Sequence, residues 1–250
     1  MIRAGIIAFL SLAFVSAAQA QCRQALALGL DVSGSVDSIE YRLQLDGLAG
    51  ALQRPEVQQA FLELPGAPVR LYVFEWSGAA SQFMLAPWTE VNSADDLNRI
   101  AGNLRATLRR PAETPTAIGQ AMLSGARLLA QQPDCWRRTL DLSGDGKSNV
   151  GPRPRDLKDD PRLEGLTING LVIGAMGETV GDRRQAEIGD IWAYYKVEVI
   201  RGPEAFVEVA VGFADFENAM ARKLLKELQT MVVGQTDLTP MISAMPAVEQ

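Results

Sequence analysis

The stretch from Leu26 to Val36, Leu-Ala-Leu-Gly-Leu-Asp-Val-Ser-Gly-Ser-Val, constrains this chain more than any other. A short apolar run stops at Asp31. Hydroxyls follow at alternate positions, Ser33 and Ser35, with Gly34 between them, and a helical pattern starts at Val36. A run of that length reads as a buried parallel strand, so the polar turn stands where a strand hands the chain to a helix. In an open α/β sheet the crevice at the carboxyl ends of the strands is where ligands bind. Three oxygen-bearing side chains within five residues suit a hard cation such as Mg²⁺. The same residue types are also ordinary turn formers, so this stretch alone leaves both roles open.

The start of the chain says where the protein works. Met1-Ile2-Arg3 supplies one positive charge, Gly5 to Ala17 is almost wholly apolar, and Ala18-Gln19-Ala20 is a small-x-small cleavage site. That is the pattern of a secretory signal peptide over residues 1–20, cleaved after Ala20. Gln21 before Cys22 lacks the small residue a lipoprotein site needs. No other apolar run approaches the roughly 20 residues of a membrane span. The expected product is a single domain over residues 21–229, periplasmic or secreted and not membrane-embedded, with a loose tail over 230–250. Loss of Arg3 leaves an excess of seven acidic side chains, which argues against nucleic acid and anionic membrane surfaces as partners. Histidine is absent throughout, so Ser-His-Asp triads, Cys-His dyads and His-ligated metal sites are excluded. The two cysteines, Cys22 and Cys135, in an exported chain favour a disulfide over two free thiols.

Helical stripes and strand runs then alternate. Val36, Ile39, Leu43, Leu48 and Leu52 fall near one helical face that ends before Pro55. Gly47 and Gly50 weaken that helix and suit a close approach to the sheet. Val69 to Trp76 reads as a second strand, and Gln82 to Trp88 as its hairpin partner, with Pro87 suiting an edge. Ser93-Ala94-Asp95-Asp96 resembles a capping box ahead of a buried face of Leu97, Ile100, Ala101, Leu104 and Leu108. A loop from Arg109 to Pro115 brings Thr116 to the start of a helix carrying Ile118, Met122, Ala126 and Leu129. Trp136 to Gly144 is a strand ending at Asp145-Gly146, and a Pro-, Arg-, Lys- and Asp-rich loop follows. Thr167 to Gly174 is a strand, Ile188, Ile191, Trp192 and Tyr195 mark a helix, and Ala205 to Val211 is a final strand. Asp215 caps a last helix with Phe216, Met220, Leu224 and Leu228. This alternation predicts an α/β fold: a single doubly wound, mostly parallel sheet with helices on both faces and one antiparallel edge strand.

Asp31, Ser33 and Ser35, then Thr116, then Asp145 each stand just beyond a strand end or at a helix start. Asp-Val-Ser-Gly-Ser, a distant Thr-Ala-Ile-Gly and a later Leu-Ser-Gly-Asp-Gly resemble the metal-ion-dependent adhesion site (MIDAS) of von Willebrand factor type A domains. Glu-Trp-Ser-Gly at 75–78, with Leu-Ser-Gly-Asp-Gly, is similar to a bacterial exported branch of that family with no assigned function. The order of elements from Ala25 to Leu228 agrees with that fold. The resemblance implies that Ser33 and Ser35 ligate Mg²⁺ through their hydroxyls, with Thr116 as a direct or water-bridged third oxygen. Asp31 and Asp145 would act mostly through bound waters and orient the hydroxyls. Mg²⁺ takes octahedral oxygen ligands at about 2.1 Å and keeps several waters; Mn²⁺ or Ca²⁺ is the alternative ion. One position would stay open for a carboxylate from an unknown partner protein. In the resembled fold the strand before Asp31 lies beside the strand before Asp145. Cys22 and Cys135 then fall near the bottom of neighbouring strands, and the resemblance implies a Cys22–Cys135 disulfide.

Other residues carry narrower expectations. Asp141 sits mid-strand and needs a partner if buried, Arg137 or Arg138 being close in sequence. Glu75, Trp76 and Ser77 suit the rim of the same crevice, with core packing the alternative for Trp76. Arg153, Arg155 and Lys158 read as a solvated loop. The functional expectation is an exported, metal-dependent protein-binding module and not an enzyme. A phosphohydrolase of haloacid-dehalogenase type, with Asp31 as nucleophile, is the catalytic alternative. Such enzymes open on an Asp at a strand end and carry a later Gly-Asp-Gly, here Gly144-Asp145-Gly146. They also need a general acid two residues after the nucleophile, where this chain has Ser33. A scaffold with a purely structural metal site is the third option.

Overall fold

The computed structural model describes residues 22–174 and 182–229. The expected signal peptide and C-terminal tail lie outside the described residues. Within them the elements run β1 (Gln24–Asp31), α1 (Ser38–Gln53), α2 (Pro55–Leu62), β2 (Val69–Trp76), β3 (Gln82–Val91), α3 (Ala94–Ala106), α4 (Ile118–Leu129) and β4 (Arg137–Gly144). They continue with β5 (Thr167–Ile173), α5 (Asp182–Tyr194), a π-helical turn (Tyr195–Val199), β6 (Val207–Ala210) and α6 (Phe216–Gln229). One six-stranded sheet has the order β3-β2-β1-β4-β5-β6. All neighbours are parallel except β2 and β3, the expected hairpin with its antiparallel edge.

The alternation of β1 divides the core. Leu26, Leu28 and Leu30 join α1, α2, α3 and α6 on one face of the sheet. Ala25 and Ala27 join α4, Tyr195 and Val199 on the other. Small residues on that second face leave room for larger neighbours. A Cβ at Gly29 would come within 2.7 Å of the Phe74 ring and 2.8 Å of the Leu142 side chain, so a side chain there would force the strands' neighbours to move. Cys22 and Cys135 are joined as expected, with Cα atoms 4.4 Å apart across 113 residues. In the chain-entropy model such a closure contributes about 4–5 kcal/mol, an upper figure.

Several local expectations shift. The first helix ends at Gln53, before Pro55 as expected, but Pro55 then occupies the first turn of a further helix, α2, where its missing N–H costs nothing. The helix expected from Val36 starts at Ser38, capped by Asp37, whose carboxylate accepts the N–H groups of Ile39 and Glu40. Ile39 therefore lies in the first turn and is 63% exposed. Leu108 follows the end of α3 and is 84% exposed, and Trp192 also faces outward. Gly47 approaches α6 and not the sheet: a Cβ there would meet the Glu217 backbone and the Phe216 ring, each at 3.0 Å. The capping box of Ser93 and Asp96 is present at α3.

Asp141 is buried, but its partner is neither arginine. Side chains alternate faces along a strand, so Arg138 points away from it, and Arg137, on the same face, lies a full four residues down β4 and reaches Glu204 at 3.9 Å. Lys223, arriving from α6, contacts the Asp141 carboxylate and donates to Glu227 at 2.8 Å. No helix among the described residues is long and apolar enough to cross a membrane.

Candidate functional site

Parallel pairing of β1 with β4 sets Leu30 opposite Ser143, so both strands release the chain at the same level and bring Asp31 near Asp145. Asp31 is fully buried. Its Oδ1 accepts the Ser33 N–H at 2.8 Å, which closes the turn through an aspartate side chain, as such turns commonly do. Ser33 Oγ lies 3.3 Å from Ser35 Oγ. Ser35 Oγ donates to Asp145 Oδ1 at 2.7 Å, and Thr116 Oγ1 donates to Ser33 Oγ at 3.2 Å. All five residues singled out in the sequence are thus linked through one hydrogen-bonded cluster, drawn from three separate segments of chain.

The backbone around the cluster is held from several sides. Gly34 N–H donates to the Thr114 carbonyl at 2.9 Å, and a Cβ at Gly34 would overlap the Thr114 methyl; the close approach of two loops requires glycine there. Thr116 N–H donates to Asn149 Oδ1 at 2.9 Å, and Asn149 N–H returns to the Thr116 carbonyl at 2.9 Å. Gln44 Nε2 on α1 donates to the Asp31 carbonyl at 2.9 Å, and Gln44 Oε1 accepts from Ser143 Oγ at 3.2 Å.

Charge at the cluster is one-sided. Burial, then the nearby Asp145 carboxylate, pushes Asp31 up to about 7 against the opposing hydrogen bonds from Ser33. Burial also raises Asp145, partly offset by Ser35. Neither carboxylate makes an ion pair among the described residues, and Asp31 Oδ2 has no hydrogen-bond partner there. No group of three or more His, Cys, Asp or Glu side chains that could by themselves hold a metal ion is found among the described residues. A cation here would be held by three hydroxyls and two carboxylates. This all-oxygen set, with an orphaned buried oxygen and uncompensated negative charge, fits a hard divalent ion.

The expected rim is different. Glu75, Trp76 and Ser77 are all within 2% of full burial. Glu75 accepts a hydrogen bond from Tyr41 at 3.0 Å, Trp76 packs in the core, and the Ser77 carbonyl anchors the Ala117 N–H at 2.8 Å just before α4. They support the crevice from inside: β2 ends at Trp76, as its sequence pattern predicts, but its last residues are buried and do not rim the surface. Arg153, Arg155 and Lys158 are exposed, as expected. Gln44, Asn149 and Tyr195 were not singled out. A glutamine on the apolar stripe of α1, beside Leu45, was the available signal for Gln44; Asn149 stands in a loop whose composition gives none.

The fold is that of von Willebrand factor A-type domains. Proximal thread matrix protein 1 from the mussel byssus, solved with a zinc-occupied MIDAS motif, is similar at a TM-score of 0.53 and 16% identity over 84% of this chain. The pilus adhesin SpaC of Lactobacillus rhamnosus GG gives 0.56 and 14% over 84%. The conserved hypothetical protein BatB of Bacteroides thetaiotaomicron gives 0.50 and 13% over 84%, covering 98% of that chain. The match spans 49% of the mussel chain and 31% of the pilus adhesin. No curated protein matches the sequence. The chain belongs to the family described as protein of unknown function (DUF1194), whose model matches residues 21–232.

Proposed function

We propose that this chain is an exported binding module whose cluster holds a divalent cation and presents it to an acidic group of a partner protein. Ser33, Ser35 and Thr116 would offer hydroxyl oxygens, and Asp31 and Asp145 the balancing charge. Mg²⁺ is the preferred ion, with Mn²⁺ or Ca²⁺ as substitutes. A cation bound mainly by neutral hydroxyls keeps a strong pull on an incoming carboxylate, which is the chemistry it would supply here.

The observation that carries this function is the pair of buried carboxylates joined to three hydroxyls, with no positive partner among the described residues. The zinc-occupied MIDAS motif of the mussel protein, which shares the fold, supports it. Ser33, in place of an acid, argues against phosphoryl chemistry. The test is capture of exported proteins on immobilised wild type and Thr116→Ala, in Mg²⁺ and in chelator. A partner retained only by wild type with Mg²⁺, and released by chelator, is the expected result. Partners held equally in chelator point to a scaffold, and turnover of a generic phosphoester by wild type points to an enzyme; either result overturns the proposal.

A further inference from the structure

We propose that Tyr195 is a positioning residue for the cluster: its phenol is placed to donate a hydrogen bond to Asp31 Oδ2 across the bare Cα of Gly144. The role in cation binding rests on the function proposed above; the hydrogen bond itself does not.

Tyr195 opens the π-helical turn after α5, a backbone form that recurs at functional sites. Its ring is completely buried on the α4 face of the sheet. Two neighbouring strands give up a side chain to admit it. A Cβ at Gly170 on β5 would meet the Tyr195 ring at 2.6 Å, and a Cβ at Gly144, the last residue of β4, would meet the Tyr195 hydroxyl at 2.6 Å. The same point at Gly144 lies 2.9 Å from Asp31 Oδ2. The two oxygens therefore face one small space that glycine leaves open.

Both are orphans. Neither the Tyr195 hydroxyl nor Asp31 Oδ2 has a hydrogen-bond partner among the described residues, although buried polar groups are nearly always paired. Their chemistry is complementary, since an ionised carboxylate only accepts and a phenol can donate. Asp31 Oδ1 is already committed to the Ser33 N–H, so a donor at Oδ2 would fix the carboxylate's rotation. Outer partners of this kind hold ligand orientation, and their removal typically costs 10–100-fold in metal affinity.

Tyr195→Phe removes the hydroxyl and keeps the ring. Two readouts are compared with wild type: the dissociation constant for Mg²⁺ by calorimetry, and the melting temperature of the chelated protein. The expected result is Mg²⁺ affinity about tenfold weaker and a melting temperature lower by about 2–4 °C. Unchanged affinity overturns the positioning role. An unchanged or higher melting temperature overturns the hydrogen bond, because deleting a truly unpaired buried hydroxyl costs nothing. If wild type binds no Mg²⁺, the cation proposal fails separately, and the melting comparison still decides whether the Tyr195 bond exists.

Discussion

Strand β4 and the turn just beyond it carry two buried aspartates four residues apart, and their charges are balanced in opposite ways. Mid-strand, Asp141 meets Lys223, whose ammonium is wholly buried and also bonds Glu227 at 2.8 Å. Asn169 on β5 donates to the same Glu227 and accepts the Phe206 N–H at 3.0 Å. That network supplies its own cation and ties α6 to the sheet. Just beyond the strand's end, Asp145 and Asp31 have three hydroxyls and no ammonium or guanidinium among the described residues. The first set has an ammonium of its own, shared by two carboxylates, although Asp141 Oδ2 and Glu227 Oε2 have no hydrogen-bond partner among the described residues; the second carries charge for something that comes from outside. Buried acids alone do not mark a site: what separates the two is whether the chain provides the counter-charge.

The strongest break in this comparison is Lys223→Met. Removing the internal cation leaves Asp141 and Glu227 buried without one, at an expected loss of about 3–5 kcal/mol in urea unfolding. A loss too small to measure would mean that the mid-strand network does not depend on its lysine. Next comes the missing cation of the other set. Mg²⁺ at a hundred times its dissociation constant should stabilise wild type by about 2.7 kcal/mol, roughly 5–10 °C for a domain of this size. Chelator should reverse the shift, and a thermal scan without any shift would erase the contrast. The smallest effects should differ in sign. In chelator, Asp141→Asn should lose about 1–3 kcal/mol, since Lys223 forfeits a charged acceptor. Asp31→Asn should be neutral or slightly stabilising, because it relieves repulsion with Asp145 while its amide oxygen still accepts from Ser33 and its NH2 can donate to the Tyr195 hydroxyl in place of the accepted bond. Denaturant midpoints that fall together for both variants would show the two aspartates to be equivalent.

The sheet was legible because β1 and β5 are short apolar runs, β2 is rich in β-branched and aromatic residues and β4 stops at the Asp145-Gly146 turn, and the hairpin was legible from Pro87 and the turn before Gln82. The clustering of Asp31, Ser33, Ser35, Thr116 and Asp145 followed from a family-like order of motifs, and the paired cysteines agreed with it. The partners of the supporting residues were harder to see. Lys223 looks like one more charge on an amphipathic helix, and only the packing of α6 against β4 and β5 turns it inward. Tyr195 fits a helical stripe of apolar residues, so nothing local distinguishes a core tyrosine from one whose hydroxyl faces Asp31. Glu75 to Ser77 misled for the same reason: a strand's end in sequence does not say how deeply its last residues sit.

The most direct test of the central claim is a calorimetric titration of Mg²⁺ into chelator-treated wild type and Asp31→Ala. Single-site binding to wild type that disappears in the variant is the predicted result. Absence of binding to wild type, or binding that ignores the substitution, would contradict the claim that this cluster waits for a cation.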